Sequence, residues 1–222
     1  MNAPCRIVVM AKAPVAGHAK TRLIPALGAQ GAAALAERLL DHAVQQALAA
    51  DLGPVELCGA SAFTPRLPSE GIDPPAAVHP AFERLADAWP ITLSEQGSGD
   101  LGQRMHRAFE RAFSLTPSGP SRVLLTGTDA PALDASVLRR AAEALADTDA
   151  VFVPAHDGGY ALVGLRRPAP TLFTDMVWST PTVMARTRGR IKVAGLRHTE
   201  LPPLHDIDVP ADLIHLPTGW LS

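Results

Sequence analysis

Short apolar runs alternate with segments of helical period along most of this chain, and that alternation limits the fold more than any other feature. Arg6-Ile-Val-Val-Met10, Pro54-Val-Glu-Leu-Cys-Gly59, Ile91-Thr-Leu-Ser-Glu95, Arg122-Val-Leu-Leu-Thr-Gly127, Ala150-Val-Phe-Val-Pro154 and Tyr160-Ala-Leu-Val-Gly-Leu165 read as strands. Between them, residues 29–50 carry Leu35, Leu39, Leu40, Val44 and Leu48 at helical spacing. Shorter helices are expected over Ala81–Ala88, Leu101–Phe113 and from an Asp134 cap to about Leu145. A further helix is expected from Val177 to Arg188, capped by Ser179 or Thr180 with Pro181 in its first turn. Ile191-Lys-Val-Ala is expected as a late strand, Leu204–Asp208 as extended chain, and Val209-Pro210 as the opening of a last short helix. Residues 60–80, rich in Pro, Ser and Gly, read as irregular loop. Strands that alternate with helices build a mostly parallel sheet with helices on both faces, an α/β, Rossmann-like architecture. The 222 residues suit one such domain, spanning 1–222.

The composition narrows the function classes. Apolar residues make up 47% of the chain and the net charge is -2, so a packed core is expected and a global basic field for nucleic acid is not. No apolar stretch reaches the length of a membrane span, and the amino end reads as a strand rather than a signal peptide. Cys5 and Cys58 sit in apolar strand contexts and read as buried free thiols, which suits a reducing, cytoplasmic setting. The eight histidines show no metal-ligand spacing, and there is no Gly-x-Ser-x-Gly elbow.

In a doubly wound sheet, ligands sit beyond the carboxyl ends of the strands, so the loops that follow strands carry the chemistry. The first runs Ala11-Lys12-Ala-Pro14-Val-Ala-Gly17-His-Ala-Lys20-Thr-Arg22. Its small residues let backbone N–H groups approach a polyphosphate, Lys12, Lys20 and Arg22 supply positive charge, and Arg22 can hold an oxyanion through two parallel bonds. Ala19, not Gly, precedes Lys20-Thr21, and this loop carries neither a Walker pattern nor G-x-G-x-x-G, which disfavours a P-loop ATPase or a dinucleotide enzyme. Asp129 follows the apolar run at 122–127 and is either a ligand for a hard divalent cation or a turn residue. Asp206 and Asp208 share one face of an extended segment and are a second acidic pair suited to the same ion. Gly99, Asp100, Gly102 and Arg104 form a glycine-rich rim that can meet phosphate or base. Asp157-Gly158-Gly159-Tyr160 reads both as a hairpin turn and as a place where backbone meets ligand. Trp178 suits either core packing or the wall of an acceptor pocket.

Taken together and in order, Lys12-x-Pro14-x-x-Gly17-x-x-Lys20-Thr21-Arg22-Leu23, Asp100-Leu101-Gly102-x-Arg104-Met105, Gly127-Thr128-Asp129-x-Pro131, Asp157-Gly158-Gly159-Tyr160, Trp178-Ser179-Thr180 and Asp206-Ile-Asp208-x-Pro210-x-Asp212-Leu213 resemble the DUF2064 family of bacterial proteins. That family is labelled glycosyltransferase-like and is related to the phospholactate guanylyltransferase of coenzyme F420 synthesis. The resemblance implies a GT-A fold, that of the nucleotide-diphospho-sugar transferases. It also implies a metal-dependent transferase using Mg2+ or Mn2+, with a nucleotide and a small acceptor as partners. On this resemblance Ala11, Lys12, Pro14, Gly17, Lys20, Arg22, Gly99, Asp100, Gly102, Arg104 and Thr128 hold the nucleotide. Asp157, Gly158, Gly159, Tyr160 and Trp178 form the acceptor side, and Asp129, Asp208 and Asp206 the metal side. Lys12, Lys20, Arg22 and Asp129 carry catalysis. The chain departs from the family at Thr128 and Ala130, where Ser and Cys are common, and at Val209 and Ala211, where Thr and Glu are common. Nucleotidyl transfer from an NTP, glycosyl transfer from an NDP-sugar and noncatalytic nucleotide binding remain the three expectations.

Overall fold

Seven strands form one sheet in the order β3-β2-β1-β4-β6-β5-β7 in this computed structural model, which describes residues 5–60, 78–115 and 122–221. The strands are β1 (Cys5–Ala11), β2 (Val55–Gly59), β3 (Ile91–Glu95), β4 (Arg122–Thr126), β5 (Ala150–Pro154), β6 (Tyr160–Leu165) and β7 (His198–Glu200). All neighbours run parallel except β6, which is antiparallel to both β4 and β5. A short hairpin can only reverse the chain, so the five-residue connection 155–159 makes β6 the exception.

β1 explains how the sheet is covered. Its residues alternate between two buried faces, with Cys5, Ile7, Val9 and Ala11 on one and Val8 and Met10 on the other. The first face packs against α1 (Ile24–Ala49), α2 (Pro80–Ala88) and α4 (Ala135–Ala144) through Leu40, Val44, Phe82, Leu85 and Leu138. The second packs against α3 (Leu101–Ser114) and α5 (Val183–Val193) through Met105, Phe109, Met184 and Ile191. Burying each such aliphatic or aromatic side chain contributes on the order of 1.5–3 kcal/mol, so a strand lined on both sides is a strong organiser of the sheet. A buried charge lies off this core. Glu56 on β2 receives hydrogen bonds from Arg111 Nε at 2.9 Å and Ser94 Oγ at 2.6 Å, tying β2 to β3 and α3.

Several boundaries differ from the sequence reading. α1 begins at Ile24, with Pro25 in its first turn, and is kinked at Gly28, where φ is 70°. The expected helix from Val177 to Arg188 starts only at Val183, because Ser179 adopts a left-handed φ of 59° and Thr182 takes the cap position. Ile191-Lys-Val-Ala is the last turn of α5 rather than a strand, and Val193 faces solvent there. The late strand is β7, formed where His198–Glu200 pairs with β5. The expected irregular loop at 60–80 lies largely outside the described residues. No helix among the described residues is long and apolar enough to cross a membrane.

Candidate active site

The strand order reverses at β1, which has β2 on one side and β4 on the other, so the loops after β1 and β4 open beside each other. The first loop closes in a tight turn, with His18 N–H and Ala19 N–H both donating to the Val15 carbonyl at 2.9 and 2.8 Å. Gly17, at φ 82°, supplies the positive φ this turn requires. Lys20 also has positive φ, at 46°, which is rare for a residue with a side chain.

Lys20 is the centre of the site. Its side chain is only 9% exposed and reaches 187 residues along the chain. The ammonium lies 2.5 Å from Asp129 Oδ1 and donates to Asp208 Oδ1 at 2.9 Å and the Ile207 carbonyl at 2.6 Å. An ammonium has three donors, and these acceptors use all of them. Burial works against its charge, but Asp129 and Asp208 outweigh burial and raise its pKa above the ordinary lysine value.

The carboxylates are positioned by their neighbours. Asp129 stands in the turn after β4, and its backbone carbonyl accepts from Ile207 N–H at 2.8 Å. Ile207 is fully buried against Leu23, Leu35 and Leu39, so the residues on either side of it, Asp206 and Asp208, turn outward. Asp212 fixes this segment from below, accepting from Asp208 N–H at 2.9 Å and Val209 N–H at 2.8 Å. Asp206 does not join Asp129 and Asp208 around Lys20. Desolvation, then repulsion from Asp157 and the other nearby carboxylates, pushes its pKa up to about 6. Among the described residues no three acidic, histidine or cysteine side chains enclose a single metal position. Of the three aspartates expected on the metal side, Asp129 and Asp208 meet at Lys20, and Asp206 lies close enough to Asp157 to feel its charge.

Beside these groups lies a cavity of about 220 Å³. Its lining includes the four carboxylates of Asp129, Asp157, Asp206 and Asp208 and the larger side chains of Leu101, Tyr160, Trp178 and Val183. The β5–β6 turn delivers Asp157, whose Oδ1 accepts from Gly159 N–H at 2.7 Å. Gly158 has a φ of 92°, and a Cβ there would stand 2.1 Å from the Pro181 carbonyl oxygen, so only glycine lets the turn dock on the loop before α5. Tyr160 offers its ring to the cavity. Its hydroxyl points to Met105 Sδ at 3.8 Å, and burial raises its pKa. Trp178 meets Tyr160 edge-on, with ring centroids 6.5 Å apart.

The glycine-rich rim is engaged in building α3. Asp100 and Gln103 form a reciprocal cap, with Gln103 N–H donating to Asp100 Oδ1 at 2.8 Å and Asp100 N–H to Gln103 Oε1 at 3.0 Å. Gly99 lies under the Gln103 side chain, and Gly102 is buried beneath Phe173 and Trp178. Arg104 donates to Gln96 Oε1 at 3.1 Å. Gln96, which sequence reasoning did not single out, is buried and also donates to the carbonyls of Ala11 and Cys58 at 3.1 and 3.0 Å. A polar residue just past a strand was the available signal for it. Lys12 and Arg22 are exposed, as is Gly17, while Pro14 and Thr128 are half-buried. Neither Lys12 nor Arg22 has a side-chain partner among the described residues, so both cations are free to meet a ligand. His156, His205 and His215 stack on the outer side of the Asp206 segment, at centroid distances of 4.0 and 3.6 Å.

Known structures repeat this architecture. A protein from Desulfovibrio desulfuricans G20, described as a candidate nucleotide-diphospho-sugar transferase, is 29% identical with a TM-score of 0.78, over 94% of this chain and 84% of that one. A nucleotidyl transferase from Methanothermobacter thermautotroptrophicus, Mth528, superposes with a TM-score of 0.61 at 16% identity, over 100% and 99%. Rv0371c from Mycobacterium tuberculosis H37Rv, in complex with manganese, superposes at 0.50 and 15% identity, over 97% and 98%. The last two likenesses establish the fold alone, which is the Rossmann-like one of nucleotidyltransferases and nucleotide-sugar transferases. No curated protein sequence is significantly similar to the chain. The family described as an uncharacterized protein conserved in bacteria, DUF2064, matches residues 70–180, half of the chain, and the chain belongs to that family.

Proposed function

We propose that the chain is a nucleotide-using transferase that moves a nucleotidyl group from an NTP to a small acceptor and releases pyrophosphate. The observation that carries this reading is the convergence of Lys20, Asp129 and Asp208 on one point, beside a loop whose Lys12 and Arg22 have no side-chain partner among the described residues. Oxygen donors from Asp129, Asp208 and the Ile207 carbonyl already surround one positive centre, the Lys20 ammonium, at 2.5–2.9 Å. Hard divalent cations take such donors, usually one or two carboxylates together with substrate phosphates, so the residues fit magnesium or manganese. Such an ion, when bound, neutralises charge on the phosphate oxygens as the bond to the leaving group breaks.

The chain's own groups do the rest. Lys12 and Arg22 hold the phosphates of the NTP and stabilise the pyrophosphate that departs. Lys20, once its carboxylates have another cation, turns its donors to the phosphate. The acceptor oxygen then forms a bond to the α-phosphorus while the bond to the pyrophosphate oxygen breaks. Catalysis here is positioning and electrostatics, and no protein nucleophile is required.

The test is pyrophosphate release with Mg2+ or Mn2+ and each NTP over a panel of acceptors, for the wild type and Asp129→Asn. The variant is expected to melt as a folded protein and to lose roughly 10²–10³-fold in turnover, the size of effect seen when one electrostatic stabiliser is removed. Undiminished turnover in Asp129→Asn removes Asp129 from the mechanism. The description of the Desulfovibrio protein favours a second reading, glycosyl transfer from an NDP-sugar. Release of NDP from UDP- or GDP-sugars, with no pyrophosphate from any NTP, selects that reading instead.

A further inference from the structure

The acceptor end of the cavity has an unusual charge balance. Its described lining includes Asp157 and Asp206 but no lysine and no arginine. Asp129 and Asp208 share the Lys20 ammonium, whereas neither Asp157 nor Asp206 has an ion-pair partner among the described residues. Arg104, in the first turn of α3, is tied to Gln96 and to the Asp100 carbonyl. The rest of the lining is largely apolar and aromatic, with Leu101, Ala161, Tyr160, Trp178 and Val183.

An anionic acceptor group placed beside Asp157 and Asp206 would face two carboxylates with no ion-pair partner among the described residues, while the Lys20 ammonium is committed to Asp129 and Asp208, and like-charge juxtaposition in a partly desolvated site is strongly unfavourable. An alcohol on a neutral body, or one that also bears an ammonium, meets the same groups favourably. Its hydroxyl or N–H donors find acceptor oxygens, and an ammonium gains further from the faces of Tyr160 and Trp178. The reaction adds a second reason. An attacking phosphate is already ionised, but an alcohol must lose a proton as its oxygen bonds to the α-phosphorus. Asp157 Oδ1 is occupied by Gly159 N–H, and its other oxygen accepts no hydrogen bond among the described residues, so it can take that proton.

Resting on the nucleotidyl-transfer reading, we infer that this site takes an uncharged or cationic alcohol as its acceptor and rejects phosphorylated ones. The alcohol oxygen bonds to the α-phosphorus, the pyrophosphate oxygen leaves with the electron pair of the broken bond, and the hydroxyl proton passes to Asp157.

The indole N–H resonance of Trp178 reads occupancy of this wall without turnover. Wild-type protein with Mg2+ is first saturated with whichever α,β-methylene analogue of ATP, CTP, GTP or UTP binds best, then titrated with glycerol, choline and glycerol 3-phosphate. Choline is expected to bind at least about tenfold more tightly than glycerol 3-phosphate, with glycerol between them. The double variant Asp157→Asn with Asp206→Asn is expected to erase most of that discrimination. Glycerol 3-phosphate binding as tightly as choline, or neither alcohol reaching Trp178, overturns the acceptor assignment. If none of the four analogues binds, the nucleotide reading falls first, and the two failures are told apart by that step.

Discussion

Lys20 holds two carboxylates that would otherwise repel each other, and on the proposed function it holds them at the position a divalent cation would take. A positive side chain and a metal ion that share the same oxygen donors compete. Lys20→Met, which keeps the length of the side chain and removes its charge, is expected to bind Mn2+ alone several-fold more tightly than the wild type and to bind NTP more weakly. Titration calorimetry on both proteins measures the two effects separately, and weaker Mn2+ binding by the variant would refute the competition. Asp206 gives a second residue-level expectation, in pH. Its carboxyl is raised to about 6 in the folded chain, by desolvation first and by Asp157 next, against an ordinary value of 3.8. The folded state therefore binds the proton more tightly than the unfolded state. The stability this contributes is complete below about pH 4 and is lost as pH rises through 6. Urea unfolding in the presence of a chelator, between pH 4 and 7, is expected to show that decline in the wild type and a flatter profile in Asp206→Asn.

The elements that deliver the site differ in how far the sequence alone discloses them. β1, β4 and α3 were legible because their signals are local: uninterrupted apolar runs for the strands, and for α3 the helical spacing of Met105, Ala108, Phe109 and Ala112. α5 was misplaced because its local signal was outvoted. Ser179-Thr180-Pro181 reads as a cap and first turn, yet docking of that loop on the Gly158 turn puts Ser179 in the left-handed region and delays the helix to Val183. β7 has three residues and no strand pattern of its own, so only pairing with β5 makes it a strand. The candidate residues of the site were likewise legible as loop positions, but their partners were not, because Lys20 meets Asp208 across 188 positions. Gly102 shows where the reading changes in kind. It was expected to approach nucleotide, and the structure shows it making room for Trp178, since a Cβ there would stand 2.2 Å from the Phe173 carbonyl oxygen and 2.8 Å from the indole. Gly102→Ala is expected to cost about 1–3 kcal/mol in urea unfolding, the usual range for overpacking. It is also expected to weaken acceptor binding through the displaced Trp178 while leaving nucleotide affinity nearly unchanged. A larger loss for nucleotide than for acceptor would return Gly102 to the phosphate side.

At the scale of the whole molecule, the site is a junction of segments far apart in sequence. The loop after β1, the turn after β4 and the 206–208 segment meet at the Lys20 cluster, and Ile207 anchors the last of them in a small core with Leu23 and Leu39. A ligand that bridges them stabilises the folded state by mass action, by about 2.7 kcal/mol at a free concentration of one hundred times Kd. For a chain of this length each kcal/mol shifts the melting temperature by about 2–4 °C, so a saturating NTP is expected to raise it by roughly 5–10 °C. The interaction between ligands is more informative than the size of either shift. Lys20 has no donor to spare while it holds Asp129, Asp208 and the Ile207 carbonyl, so NTP alone must break those bonds to gain the lysine. Metal alone must displace the ammonium with nothing to receive it. Together each removes the other's obstacle, and the combined shift in melting temperature is expected to exceed the sum of the separate shifts. Lys20→Met lacks the shared obstacle, so in that variant the two shifts should add. Simple additivity in the wild type would mean that metal and nucleotide bind without passing through Lys20, and would separate the phosphate loop from the paired aspartates.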